Sequence, residues 1–304
     1  MSGITSGAVG IGEASRRTGV PVRTIRFYCD VGILATQRTS GGHRMFISDA
    51  LDRLVLVREL RVVGLGLAAI ADVLAGVRAV PEAVAVERAA VEDDLAALSW
   101  RYAVLVAIEQ ADDPLVFTEL AAVAERGAAR TVLIDFWSRI LAAMPASMFD
   151  GFVEMDIPRA PPVPSPGHVI RFAELGQLAR SPELVRVVSR QIWGAGEWAI
   201  RNRRAFLADL APAHTAAAER MIADDPPEPG SELDLYVAAH ATARGRRDTG
   251  GFRCELARGV TITDRTAARY WVLTAEALDT PYTTGGVQKW LDTALLRSLE
   301  PSHG

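Results

Sequence analysis

The stretch that most constrains this chain runs from Ile11 to Gly76. A short apolar-periodic helix begins near Ile11, Gly19-Val20-Pro21 makes a tight turn, and a second helix follows over residues 22–30. That second helix carries Arg23, Thr24 and Arg26 in its first turns. A helix presented this way lies in the DNA major groove and offers its N-terminal residues to phosphates and base edges. Arg38-Thr-Ser-Gly-Gly-His-Arg-Met-Phe46 then reads as a hairpin, because its Ser-Gly-Gly turn sits between short extended flanks and glycine supplies the positive φ a tight turn requires. Arg38, His43 and Arg44 fall on this wing, beside the groove. A third helix follows Phe46, capped by Ser48 or Asp49, with Leu51, Leu54, Val55 and Val62 as its apolar stripe. Gly64-Leu65-Gly66 breaks it, and a fourth helix, residues 67–74, buries Leu67, Ile70 and Leu74 before Gly76.

Thr24-Ile-Arg-Phe-Tyr28, Val31-Gly-Ile-Leu34, Gly41-Gly-His-Arg-Met-Phe46 and Val63-Gly-Leu-Gly-Leu-Ala-Ala-Ile70 occur in an order and spacing that resembles the winged helix–turn–helix of the MerR family of bacterial transcription regulators. The likeness covers roughly the first quarter of the chain. The chain departs from it at Phe27-Tyr28-Cys29, where the family often has Tyr-Tyr-Glu, and at Met45, where an aromatic is more usual. The resemblance implies that Arg23, Thr24, Arg26 and Tyr28 meet the major groove and its phosphates. It further implies that Arg38, His43 and Arg44 grip the backbone from the wing.

From Glu82 to about Ala111 one long helix is expected. Val84, Val91, Leu98 and Leu105 recur every seven residues, Leu95 and Tyr102 occupy the alternating positions, and Arg88 is the polar exception. This 4,3 spacing is the seam of a coiled coil. At 1.5 Å per residue, about thirty residues span roughly 45 Å, enough to link two heads. The alternative is an amphipathic helix packed on its own body. The position is where MerR relatives place an antiparallel dimer helix, so the resemblance favours a homodimer.

Residues 113–304 show little strand patterning and read as all-helical. Leu133, Trp137, Ile140, Leu141 and Met144 share one face, and Pro145 stops that helix. Residues 158–167, with five prolines, read as a stiff linker or surface loop. Pro182 opens a long segment to about Leu210, with Gly194 and Gly196 as a possible kink. Leu233, Tyr236, Val237 and His240 form the next face. Ala267, Trp271 and Leu278 form another, and Val287, Trp290, Leu291, Ala294 and Leu295 the last.

At 304 residues, 49% hydrophobic and 23% charged, the chain suits two domains of an ordinary soluble protein. No apolar run is long enough to span a bilayer and no signal segment opens the chain, so a cytoplasmic, nucleoid-associated location with no membrane partner is expected. Residues 1–78 carry ten arginines against six carboxylates, a net +4, which leaves −8 for the rest of a chain whose total is −4. A basic head on an acidic body suits a protein that presents one end to DNA. Cys29 and Cys254 form no CxxC pair, and no His/Cys cluster has zinc spacing, so neither metal nor cofactor is expected. Phosphate-cradling, dinucleotide, zinc-protease and nucleophile-elbow motifs are absent, which argues against an enzyme.

These readings converge on a mainly α fold with three parts. Residues 1–78 form a winged helix–turn–helix with a small β-hairpin wing, residues 79–112 a long antiparallel coiled-coil dimer helix, and residues 113–304 an all-helical effector domain. The expected partners are double-stranded promoter DNA with a palindromic operator, RNA polymerase, a second copy of the chain and a small-molecule effector. Trp137, Trp193, Trp198, Tyr236, His240 and Trp271 are candidate residues for a pocket taking an apolar or amphipathic effector, core packing being the plainer reading for most of them. Arg201-Asn-Arg-Arg204 and Arg244-Gly-Arg-Arg247 read as solvated faces, with a secondary DNA or anionic-ligand contact as the alternative. The body has two other possible roles, as a ligand-independent interaction module or as a sequestering or enzymatic domain fused to a DNA reader.

Overall fold

A computed structural model describes residues 8–38, 43–111, 113–260 and 264–300, and within them the protein is mainly α. It divides into two compact units, Met1–Leu95 and Ala96–Gly304.

The first unit holds β1 (Val9–Gly10), α1 (Ile11–Thr18), α2 (Val22–Asp30), β2 (Gln37–Arg38), β3 (Arg44–Phe46), α3 (Ser48–Val62), α4 (Leu67–Leu74) and the first half of α5 (Val80–Glu109). The three strands form an antiparallel sheet in the order β1-β3-β2, with Arg38 opposite Arg44 and Val9 opposite Phe46. The expected hairpin pairing is therefore present in β2 and β3, and β1 adds an unforeseen third strand. The Ser40-Gly41-Gly42 turn lies outside the described residues. Ala14, Ile25, Tyr28, Leu34, Phe46, Leu54, Val57 and Ile70 close one small core. On α3 the stripe differs from expectation. Ala50, Leu54, Val57 and Leu60 are buried, whereas Val62 is 80% exposed, because at about 100° per residue it lies on the opposite side of the helix from Val57 and Leu60.

The second unit contains the remainder of α5, then α6 (Pro114–Ala121), α7 (Ala128–Ile140), α8 (Ala146–Asp156), α9 (Pro166–Arg180), α10 (Pro182–Trp193), α11 (Arg203–Ile222), α12 (Ser231–Ala243), α13 (Gly250–Val260), α14 (Arg265–Leu278) and α15 (Thr284–Arg297). Trp100, Val104 and Ala107 of α5 pack with Val123 and Phe172, and Trp100 Nε1 donates to the Val123 carbonyl at 2.8 Å. A second cluster gathers Leu133, Phe136 and Trp137 of α7 with Leu175, Leu184, Trp193 and Tyr270. A third joins Leu233, Tyr236 and Val237 of α12 to Phe252, Trp290 and Leu291.

The expected long segment over residues 182–210 is two helices rather than one kinked helix. Gly194 ends α10 at φ 70°, and a Cβ there would stand 2.3 Å from the Trp198 carbonyl oxygen. The chain folds back at this point, and the Ile200 N–H donates to the Trp193 carbonyl at 2.8 Å. On α14 the buried face is Ala267, Tyr270, Leu273 and Thr274; Trp271 and Leu278 are half-buried beside it.

Candidate functional site

The helix–turn–helix is held by short-range bonds. The Thr18 hydroxyl donates to the Ala14 carbonyl at 2.7 Å, and Gly19, at φ 72°, donates its N–H to the Ser15 carbonyl at 2.9 Å. Arg58 reaches over from α3 and donates to the Thr18 carbonyl at 2.7 Å, fixing the turn from outside. Ile25 and Tyr28, three residues apart, anchor α2 in the core. Arg23 and Arg26 consequently face outward, with Thr24 half-buried between them, and neither arginine has an ion-pair partner among the described residues. Arg16 and Arg17 of α1 are both committed to Glu13, which holds that carboxyl below its ordinary pKa.

The two adjacent aromatics of α2 differ in burial. Tyr28 is only 7% exposed and packs in the core of the head. Its neighbour Phe27 is the outward aromatic, 48% exposed. On the wing, Arg44 forms an ion pair with Asp30 at the end of α2, tying β3 to the helix. His43 is exposed, and the side chain of Arg38 lies outside the described residues. Burial pushes the half-buried Cys29 thiol up, against Arg44 nearby, which makes it a poor nucleophile.

The sequence of this segment matches the MerR HTH family regulatory protein description over residues 10–77. Residues 10–77 are a MerR-type helix–turn–helix domain. Among curated relatives, Nodulation protein NolA of Bradyrhizobium diazoefficiens is 43% identical over 67 residues, which is 22% of this chain and 28% of that one. NolA of Bradyrhizobium elkanii is 42% identical over 67 residues, 22% of this chain and 31% of its own. The HTH-type transcriptional regulator HmrR of Rhizobium leguminosarum bv. viciae is 39% identical over 56 residues, 18% of this chain and 42% of its own. The likeness thus spans less than half the length of these relatives. No solved structure matches.

Beyond the MerR-type head, α5 leaves an apolar row in solvent. Val84, Val91, Leu95, Leu98, Tyr102 and Leu105 are 39–71% exposed in the single chain. From Trp100 on, the other side of the same helix is sealed against the second unit by Trp100, Ala103, Val104 and Ala107. Packing on the chain's own body therefore describes that side, and the heptad row is exposed in the single chain.

The six aromatic and histidine candidates of the body do not converge on one apolar chamber. Trp137 and Trp193 are sealed in one cluster, with Trp271 packed against it at a ring separation of 5.3 Å from Trp137. Trp137 Nε1 donates to the Tyr270 hydroxyl at 2.7 Å and Trp193 Nε1 to the Ile140 carbonyl at 2.9 Å, so both indoles have the partner a buried N–H requires. Trp198, half-buried, stacks on Phe252 with ring centroids 5.8 Å apart in the other cluster. These rings fill cores, as large aromatics generally do.

Tyr236 and His240 do come together, at a ring separation of 4.5 Å, within a polar network that the sequence pattern concealed. Gln288 donates to the Tyr236 hydroxyl at 2.9 Å and to Asp292 Oδ1 at 2.7 Å, and its own oxygen lies 3.2 Å from His214 Nε2. Arg244 donates to His240 Nδ1 at 2.9 Å and to the His240 carbonyl at 3.0 Å. Burial, with Arg244 and His214 beside it, drives His240 down to about 3, so the imidazole is neutral at physiological pH. Burial raises Asp292 to about 6 and Tyr236 well above its ordinary value. Among the described residues no group of three or more His, Cys, Asp or Glu is placed to hold a metal ion, and no helix is long and apolar enough to cross a membrane.

Proposed function

We propose that this protein is a homodimeric, effector-gated transcription regulator that reads a palindromic operator through its MerR-type head. The observation that carries the reading is α2, which presents Arg23 and Arg26 outward without ion-pair partners from a domain matched to a DNA-binding family. The relatives support it, since HmrR is by name an HTH-type transcriptional regulator. Two heads are needed to read a palindrome. The uncovered row Val84, Val91, Leu95, Leu98, Tyr102 and Leu105 supports pairing through α5. The wing, with Arg38, His43 and Arg44, flanks α2 and adds backbone contacts.

In this proposal residues 1–78 bind DNA, 79–112 pair the subunits and 113–304 receive a small molecule. The effector favours a dimer geometry that bends and untwists an over-long promoter spacer, aligning the elements read by RNA polymerase. Deforming the duplex costs on the order of 1–6 kcal/mol, which the added phosphate contacts offset. The effector needs only to bind the activating geometry more tightly than the resting one. Selection of bound duplexes from a random library by the full chain tests the proposal. An enriched inverted repeat, contacted less tightly by Arg26→Ala, is the expected result; absence of any enriched sequence refutes it.

A further inference from the structure

Arg186, Ser189, Arg190 and Trp193 recur at intervals of three and four residues and so share one face of α10. That face forms the floor of a groove of about 370 Å³ whose walls come from Arg139 and Ile140 at the end of α7 and from Gly194, Ala195 and Arg203 beyond α10. Four arginines therefore surround one concavity, and no carboxylate lines it. None of the four has an ion-pair partner among the described residues. Arg139 is steadied by a bond from its Nε to the Asp135 carbonyl at 3.0 Å. The Arg203 guanidinium carbon lies over the Trp193 ring, 4.9 Å from its centroid, and that indole is itself fixed to the Ile140 carbonyl. The carbonyl ends of α7 and α10 each contribute roughly half a negative charge, far short of four full positive ones. The groove is strongly electropositive on a unit whose sequence is otherwise acidic.

We propose that this groove binds a small organic or inorganic anion carrying at least two negative charges, as carboxylates or phosphates, held by Arg139, Arg186, Arg190 and Arg203. Guanidinium groups match both oxyanions with paired, parallel N–H donors, and an arginine already seated on an indole loses little freedom on binding. The volume is at the small end of ligand pockets, which suits a compact polyanion better than a drug-sized apolar molecule. The inference deepens the effector reading above and rests on it only for the consequence at DNA; binding itself is independent of that reading.

Calorimetric titration of the full chain with pyrophosphate and, separately, with citrate distinguishes phosphate from carboxylate chemistry. Arg186→Gln/Arg190→Gln removes half the charge at exposed positions, and Arg247→Gln, an exposed arginine elsewhere on the same unit, is the control. The expected result is binding of at least one anion, weakened tenfold or more in the double variant and unchanged in the control, with all three chains equally helical by circular dichroism. No binding of either anion up to millimolar concentration overturns the proposal, as does equal binding by the double variant or equal weakening by the control. Weaker binding of random-sequence duplex by the double variant, with no anion binding by the wild type, overturns it in favour of a second DNA contact. Specific anion binding that leaves operator affinity and promoter output unchanged upholds the site and refutes the effector reading.

Discussion

Leu98→Glu separates pairing from folding. Leu98 is 61% exposed in the single chain, so about three fifths of its side chain is still available to bury in a seam. Full burial of a leucine contributes about 1.5–3 kcal/mol, which makes the remaining share roughly 1–2 kcal/mol per copy and roughly 2–4 kcal/mol for the two copies of a symmetric dimer. At 1.4 kcal/mol per factor of ten, the dissociation constant rises by roughly 30- to 1,000-fold from lost burial alone. The unpaired carboxylate facing the partner's apolar seam adds a desolvation cost. Glutamate forms helix about as well as leucine, so α5 should persist in the variant. Trp100→Ala is the contrast: Trp100 is 1% exposed and bonded to the Val123 carbonyl, and its truncation should cost about 3–5 kcal/mol of folding stability. Sedimentation velocity at micromolar concentration, with far-UV circular dichroism on the same samples, reads both effects. A fully helical, monomeric Leu98→Glu chain is expected. A dimer of unchanged mass, or a wild-type chain already monomeric at tens of micromolar, refutes the reasoning.

Arg26→Ala should weaken operator binding by roughly 1–3 kcal/mol and relax preference at one base, whereas Arg44→Ala should weaken all sequences alike and lower the salt slope by about one; titrations across salt tell these apart. Gly194→Ala combines a left-handed backbone position with a Cβ 2.3 Å from the Trp198 carbonyl oxygen, so chemical denaturation should show a loss above about 1 kcal/mol. For Asp292 the folded pKa, about 6, exceeds that of an ordinary aspartate, so between about pH 4 and 6 the native chain keeps a proton that the unfolded chain has released, and stability falls as pH rises. Asp292→Asn keeps an acceptor for Tyr236 and Gln288 and removes the buried charge. Urea melts should find it more stable than wild type at pH 7.5, by on the order of 1–3 kcal/mol, and nearly equal at pH 4; a variant no more stable at pH 7.5 sinks this account.

The head was readable from sequence because its determinants are local. Gly19 and Pro21 punctuate the chain, and α2 occupies the expected Val22–Asp30. The burial of Tyr28 and the exposure of Phe27 are also readable: counting three residues on from the apolar Ile25 reaches Tyr28, whereas Phe27 lies on the far side of the helix. Helix α5 occupies Val80–Glu109, close to the expected span, but its sequence does not mark what each face meets. Its heptad row and its Trp100/Ala103/Val104/Ala107 face are both apolar, so no single stripe marks which side meets the chain's own body. The body is harder still. An aromatic residue advertises the area it can bury but not its partner, and Trp137 finds Tyr270 across 133 residues of sequence. The arginine groove shows the same limit at the level of charge. Only Arg203 belongs to a visible basic cluster; Arg139 stands alone, and Arg186 and Arg190 look like the solvated side of an amphipathic helix. What makes four scattered guanidiniums one site is the break at Gly194, which turns the chain back so that Arg203 lies on Trp193. A continued α10 would carry Arg203 fifteen ångströms, at about 1.5 Å per residue, beyond that ring.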